Sequence, residues 1–388
     1  MFKAHEIKPG IWWVGALEWN ERRIHGFTMP NGSTNNAYLI MDEHVTLVDT
    51  CSHEHCAQLI GRISDVVDPA RIEYIISNHS EKDHAGSLRE VLALAPQAKV
   101  VTSTKGEAIL RTYLGKEPEL IPVKTGDELS IGARTLTFVA TPMVHWPDNM
   151  VTYSPADKVL FSNDAFGQFW ATSERFDDEV DEGALFAAAK KYFANIVMPF
   201  AKQTAKAVAA VRELELDLIA PSHGLIWRSK IAQILDTYER WCRLEPANSA
   251  VVAFATMYGS TRRMADAITE ALMAAGISVR QHDLVVSDIS DIMTEVMDAK
   301  YVAVGSPAHN MTVLPEAGAF LTYLKGLAPK GRRGIAFGSF GWSDAAQKEI
   351  ANTMEQAGFQ MEGEPFTVAW NDSPEDAQRL FESFSFES

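Results

Sequence analysis

Cysteine is scarce in this chain of 388 residues, which has only Cys51, Cys56 and Cys242. An odd number with no C-x-x-C pair excludes a disulfide framework and a four-thiolate metal centre, and it fits a reducing compartment. Basic charge is also short. Thirty-five Lys and Arg stand against 51 Asp and Glu, a formal net charge of −16. The deficit is spread evenly, with 33 acids against 25 bases before position 249 and 18 against 10 from there on. Without a basic stripe, nucleic acid is excluded as the expected partner. A diffuse acidic surface keeps a protein soluble and can steer a basic partner. Long apolar runs are missing too. Nothing approaches the ~20 residues of a membrane span, and the opening Met-Phe-Lys-Ala-His-Glu lacks the apolar run of a signal peptide. The expected location is therefore the cytoplasm. No G-x-x-x-x-G-K-[ST] occurs, so a nucleoside-triphosphate loop is excluded, and the lack of G-x-G-x-x-G argues against a dinucleotide site. No repeat or low-complexity tract interrupts the chain.

What is present divides into two rhythms. Up to about residue 247, short β-rich runs mix with scattered helices. Tyr38 to Ile40, Val45 to Asp49, Tyr74 to Ser77, Val100 to Thr102, Thr135 to Val139 and Val159 to Ser162 read as strands. Apolar periodicity predicts helices over Glu54 to Val67, Gly106 to Leu114, Ala184 to Ile196 and Lys230 to Arg243. From Ser249 strand and helix alternate regularly, and five strands (Val251 to Ala255, Val279 to Leu284, Tyr301 to Gly305, Gly334 to Phe337 and Phe366 to Ala369) predict a doubly wound parallel sheet. Glu245-Pro246-Ala247-Asn248 is the short junction, so we expect one domain over 1–247 and a second over 248–388.

Chemistry concentrates first at Ser77-Asn78-His79-Ser80-Glu81-Lys82-Asp83-His84, where four potential ligands fall within six residues behind an apolar strand. A two-metal centre needs that density around cations ~3.5–4 Å apart. Three more candidates stand at the ends of other elements: His145 in Thr-Pro-Met-Val-His-Trp-Pro-Asp, Asp164 in Ser-Asn-Asp-Ala-Phe-Gly, and His223 in Ala-Pro-Ser-His-Gly. These residues resemble the metallo-β-lactamase fold, an αββα sandwich with an H-x-H-x-D-H loop, and Asp49 matches its early structural aspartate. Glu81 stands where zinc hydrolases of that fold carry a second histidine, and H-x-E-x-D-H is similar to the flavodiiron protein family. An added carboxylate suits iron where imidazole suits zinc. The resemblance implies one iron on His79, Glu81 and His145, another on Asp83 and His223, and Asp164 bridging. His84 is the ligand on which that family's members differ.

The second constellation follows the strand at Val251 to Ala255. Thr256-Met257-Tyr258-Gly259-Ser260-Thr261 runs into a helix, and a hydroxyl-rich turn at a helix N-terminus makes an anion site from backbone N–H groups. It resembles the phosphate loop of flavodoxins. Two later loops, Ser306-Pro307-Ala308-His309-Asn310 and Ser339-Phe340-Gly341-Trp342, sit where that fold holds an isoalloxazine ring. The implied cofactor is FMN, with Trp342 as ring neighbour or, alternatively, as a buried core indole.

The resemblance extends over the chain and its domain order, in the short form without a rubredoxin extension. It implies reduction of dioxygen to water, of nitric oxide to nitrous oxide, or of both. Two ferrous ions and reduced FMN together hold the four electrons that dioxygen needs. An external donor is implied, such as a rubredoxin, a reduced deazaflavin or a reductase, together with a head-to-tail homodimer. His25, on an N-terminal loop before Gly26, is either a proton-donating group over the open face of the irons or a surface histidine. Trp12, Trp13 and Trp19 read as core or interface, and His5, His44, His53, His55 and His282 as structural. The alternatives are a binuclear zinc hydrolase regulated by a flavodoxin domain, and a non-catalytic gas or redox sensor.

Overall fold

The computed structural model describes residues 2–370, 373–383 and 386, which fall into two compact units. The first comprises Met1–Arg22, Met29–Phe193 and Phe200–Cys242, and the second Arg23–Thr28, Ala194–Pro199 and Arg243–Ser388.

The first unit holds two mixed sheets, one of seven strands and one of five. Side-chain alternation assigns each face of the larger sheet. Leu39, Leu47, Ile75 and Val100 point to one core with Leu59, Ile63, Leu88, Val91 and Leu110, which come from helices. Their neighbours Tyr38, Ile40, Val48, Ile76 and Val101 point to another core with Leu136, Phe138, Met150, Val159, Phe161 and Leu218 of the smaller sheet. The two sheets therefore face each other, as in an αββα sandwich. Within the larger sheet Val45–Val48, Ile72–Ser77 and Lys99–Ser103 run parallel, so loops leaving their carboxyl ends emerge on one edge.

The second unit is built on Ala247–Phe254, which pairs in parallel with Ser278–Asp283 on one side and Ala299–Gly305 on the other. Arg333–Phe340 and Phe366–Ala369 extend the sheet, and a two-residue strand at Gln360–Met361 joins it. Residues 250–255 are all buried, the near-continuous apolar run expected of a strand covered on both faces. Because the first strand in sequence lies inside the sheet, the order in which strands are added reverses there. The crevice beyond the carboxyl ends of Ala247–Phe254 and Ala299–Gly305 is the ligand position of doubly wound folds. Among the described residues no helix is long and apolar enough to cross a membrane.

Candidate metal centre and flavin loops

The metal candidates arrive from loops of both sheets. Ile72–Ser77 delivers His79 and Glu81, and the one-turn helix Lys82–Ala85 carries Asp83 and His84. His145 lies between Thr135–Ala140 and Met150–Ser154, Asp164 follows Val159–Asn163, and His223 follows Leu218–Pro221. Asp49, buried at φ 57° behind Val45–Val48, ties these loops together. Its Oδ1 accepts from Asn78 N at 2.8 Å, and its Oδ2 from the side-chain amides of Asn78 and Asn163 at 3.0 and 3.4 Å.

All seven candidates meet. Glu81 Oε2 is 3.2 Å from Nε2 of both His79 and His145. Asp83 lies 3.3 Å from His223 Nε2 through Oδ2 and 3.4 Å from His84 Nε2 through Oδ1. Asp164 divides its carboxylate between the two groups. Its Oδ2 faces His79 and His145 at 3.8 and 3.6 Å, and its Oδ1 faces His84 and His223 at 3.1 and 3.5 Å. The resulting clusters, His79-Glu81-His145 and Asp83-His84-His223, each keep their ligand atoms within 4.8 Å of one another. Asp83 Oδ1 and Asp164 Oδ2 are buried without a hydrogen-bond partner among the described residues, so their lone pairs point into the cluster. A donor set of four imidazoles and three carboxylates with orphaned oxygens fits two hard cations.

Electrostatics agree. Burial disfavours charge on His79 and His223, yet hydrogen bonds that His79 donates to Asp148 and Glu81, and His223 to Asp164 and Asp83, push both up to about 10. Burial works against Glu81 as well, but the His145 and His79 imidazoles hold it at about 2. The histidines act as surrogate cations for the carboxylates, a place that bound metal ions would take with release of protons.

Spacing gave no sign of several supporting residues. Asp148, 1% exposed, sits behind His79 with Oδ2 3.0 Å from Nδ1. The Tyr192 hydroxyl donates to Asp164 Oδ1 at 3.0 Å. His25 is not among the residues gathered at the clusters. At φ 51° in the Arg23–Thr28 hairpin, it lines a cavity of about 330 Å³ in the second unit with Phe27, Asn195 and Tyr323.

At the flavin loops, Gly259 at φ 93° begins Ser260–Ala274, and its N–H donates to Thr256 Oγ1 at 3.1 Å. Ser260 Oγ accepts from Arg263 Nη2 at 3.3 Å, which leaves the Ser260 hydroxyl proton for another acceptor. Thr261 Oγ1 is buried with no partner among the described residues. A turn of hydroxyl and backbone donors lacking an acceptor fits a phosphate. Ala308 N donates to Ser339 O at 2.8 Å, and buried Gln347 clamps the other two loops by donating to Ser306 O and Ser339 O at 2.7 and 3.2 Å. Beside them Pro307, His309 and Asn310 complete the second loop. Ala308, Met311, Gly341, Trp342 and Ser343 line a small recess. Trp342 is 75% exposed, which corrects the core-indole alternative, and Tyr258, Met257 and Trp370 are exposed as well.

A family model described as ODP family beta lactamase matches residues 33–224, and one described as flavodoxin matches residues 252–384. The chain is 42% identical over 382 residues to a nitric oxide reductase of Moorella thermoacetica, covering 97% of this chain and 96% of that one. It superposes with a TM-score of 0.95 on rubredoxin oxygen:oxidoreductase from Desulfovibrio gigas, at 38% identity and covering 98% and 96% of the two chains. Against the flavodiiron protein from Giardia intestinalis the TM-score is 0.94 at 33% identity, covering 99% and 95%.

Proposed function

Because this chain belongs to the flavodiiron protein family, we propose that it is an oxidoreductase reducing dioxygen to water, nitric oxide to nitrous oxide, or both. The family's cofactors are a di-iron centre and FMN, and the residues present fit each. The observation that carries the reading is the divided Asp164 carboxylate, with one oxygen toward His79 and His145 and the other toward His84 and His223. A regulated zinc hydrolase does not account for Glu81, a third carboxylate at the position that distinguishes iron from zinc in this fold.

His79, Glu81 and His145 would hold one iron and Asp83, His84 and His223 the other, with Asp164 between them. When bound, the irons and FMN supply the electrons that a diatomic gas consumes. The chain's own residues provide the setting. His79, His84 and Asp164 are buried, while Glu81, Asp83 and His145 keep side-chain exposures of 21%, 21% and 17%, so solvent reaches the cluster at these three side chains. Trp146 packs edge-on to His79 at 5.1 Å and Phe169 edge-on to His223 at 4.9 Å, excluding water from the flanks. Thr256, Gly259, Ser260 and Thr261 would hold the phosphate, and the loops at 307–310 and 339–342 the ring.

Along the sequence the division is a metal domain over 1–247 and a flavin domain over 248–388, with Arg23–Thr28, Ala194–Pro199 and the chain from Arg243 grouping with the flavin domain. Electrons come from an external donor of the rubredoxin type or from a reduced deazaflavin, and the working unit is a head-to-tail homodimer in the cytoplasm. The deciding experiment is anaerobic reduction of the iron- and flavin-loaded protein, followed by separate additions of each gas. Water or nitrous oxide in stoichiometric yield supports the reading, and protein carrying two zincs that consumes neither gas defeats it.

A further inference from the structure

We propose that Asp148 and Tyr192 make the two metal positions electronically unequal, so that the position built on His79, Glu81 and His145 holds ferric iron more readily. The inference rests on the di-iron reading. Asp148 is buried, and its Oδ2 lies 3.0 Å from His79 Nδ1 and 2.7 Å from Ser80 N. Its own main chain is fixed by Ser103 Oγ, which donates to Asp148 O at 2.7 Å. A carboxylate facing Nδ1 accepts a hydrogen bond from Nδ1–H, which holds the proton on Nδ1 and leaves Nε2, the atom that faces Glu81 and Asp164, as the lone-pair donor. A carboxylate acceptor also makes an imidazole a stronger donor to its metal, which favours the higher charge.

The other position is backed differently. His223 Nδ1 donates to Thr34 O at 2.6 Å, a neutral carbonyl. His84 Nδ1 is buried with no partner among the described residues. Tyr192 donates its hydroxyl proton at 3.0 Å to Asp164 Oδ1, the oxygen turned to His84 and His223. Asp164 Oδ2, turned to His79 and His145, receives no hydrogen bond among the described residues. A hydrogen bond to a ligand oxygen draws density away from its metal. Asp148 therefore enriches one side while Tyr192 depletes the other, and both act in one direction.

The test is anaerobic reductive titration of wild type, D148N and Y192F, with iron counted per chain and the mixed-valent population followed by electron paramagnetic resonance. D148N keeps an oxygen for Ser80 N and for His79 while removing the charge. Two irons are expected to remain, the second reduction step to move to higher potential, and the mixed-valent maximum to fall at least twofold. Y192F is expected to lower the first step and to narrow the separation from the other end. D148N or Y192F with two irons and unchanged steps, or with a wider separation, overturns the proposal. If D148N loses iron, D148E decides, since it restores the charge. Recovery of both irons and of the wild-type separation supports the proposal, and failure to recover overturns it. Wild-type protein that takes up no iron defeats the di-iron reading itself, a result distinct from all of these.

Discussion

Glu81 shows how much one side chain decides. It holds 3.2 Å contacts to two imidazoles and carries the charge that separates this cluster from a histidine-rich zinc site. Glu81→His is expected to shift metal content from iron toward zinc and to reduce gas consumption at least roughly tenfold. FMN content should stay unchanged, because the phosphate loop lies in the other unit. A purified E81H protein with two irons and near-normal turnover would defeat this assignment. The cysteines give a second expectation. Burial pushes the thiols of Cys51 and Cys242 up to about 12 and raises that of Cys56. A raised value keeps the thiol protonated until the pH approaches it, so at pH 8 about one in ten thousand of the first two is the reactive thiolate. Native protein should resist alkylation at Cys51 and Cys242, and denaturant should release all three; rapid stoichiometric labelling of either in the native state contradicts this. The clustering of the seven candidate ligands was legible because dense His and carboxylate spacing is rare. Asp148 and Gln347 were not, because a residue acting through one or two hydrogen bonds leaves no pattern in the chain.

At the scale of elements, periodicity found most of the long helices and buried parallel strands, but not the helix Ala201–Arg212 or the parallel strands Leu120–Val123 and Leu218–Pro221. It missed the three-residue strands Ile11–Trp13, Ala16–Glu18 and Ser33–Asn35, which are too short to show alternation. It also ran one helix on from Ala184 to Ile196, whereas the α-helix Glu182–Tyr192 gives way to a π-helix at Phe193–Val197. Apolar spacing does not register that change, which is fixed by Asn195 donating to Ser290 O and Thr294 Oγ1 at 3.1 and 3.3 Å. Gly338 is a further element-level constraint inside Arg333–Phe340. A Cβ there would lie 1.9 Å from Ser306 O and 2.6 Å from Gln347 Nε2. Gly338→Ala must push the two flavin loops apart, at a cost of roughly 1–3 kcal/mol. Denaturant unfolding should show the flavin unit weakened and FMN lost on gel filtration, while iron content stays at the wild-type level. Retention of FMN at wild-type affinity is the contrary outcome.

For the whole molecule, the homodimer reading predicts that damage in different units can be complemented. Co-expressed T256V and D164A chains, each inactive alone, should give a mixed dimer in which one intact flavin site meets one intact iron site. Random pairing then yields roughly a quarter of wild-type turnover. No recovery in purified mixed dimers would place electron transfer within a single chain. The second compact unit is not continuous in the sequence. That unit borrows Arg23–Thr28 and Ala194–Pro199 from the first half of the reading frame. Thr28 N donates to Ser290 Oγ at 3.1 Å, and the Tyr323 hydroxyl donates to Asn195 Oδ1 at 2.8 Å. A cut at codon 248 therefore amputates two supports that the flavin fold has come to depend on. The excised 248–388 piece should melt at lower temperature than the same residues within the full chain, and supplying 1–247 in trans should raise its melting point. This half is no longer a portable cassette: recombination that moves it to another host must carry the hairpin and the π-turn along or evolve replacements for them.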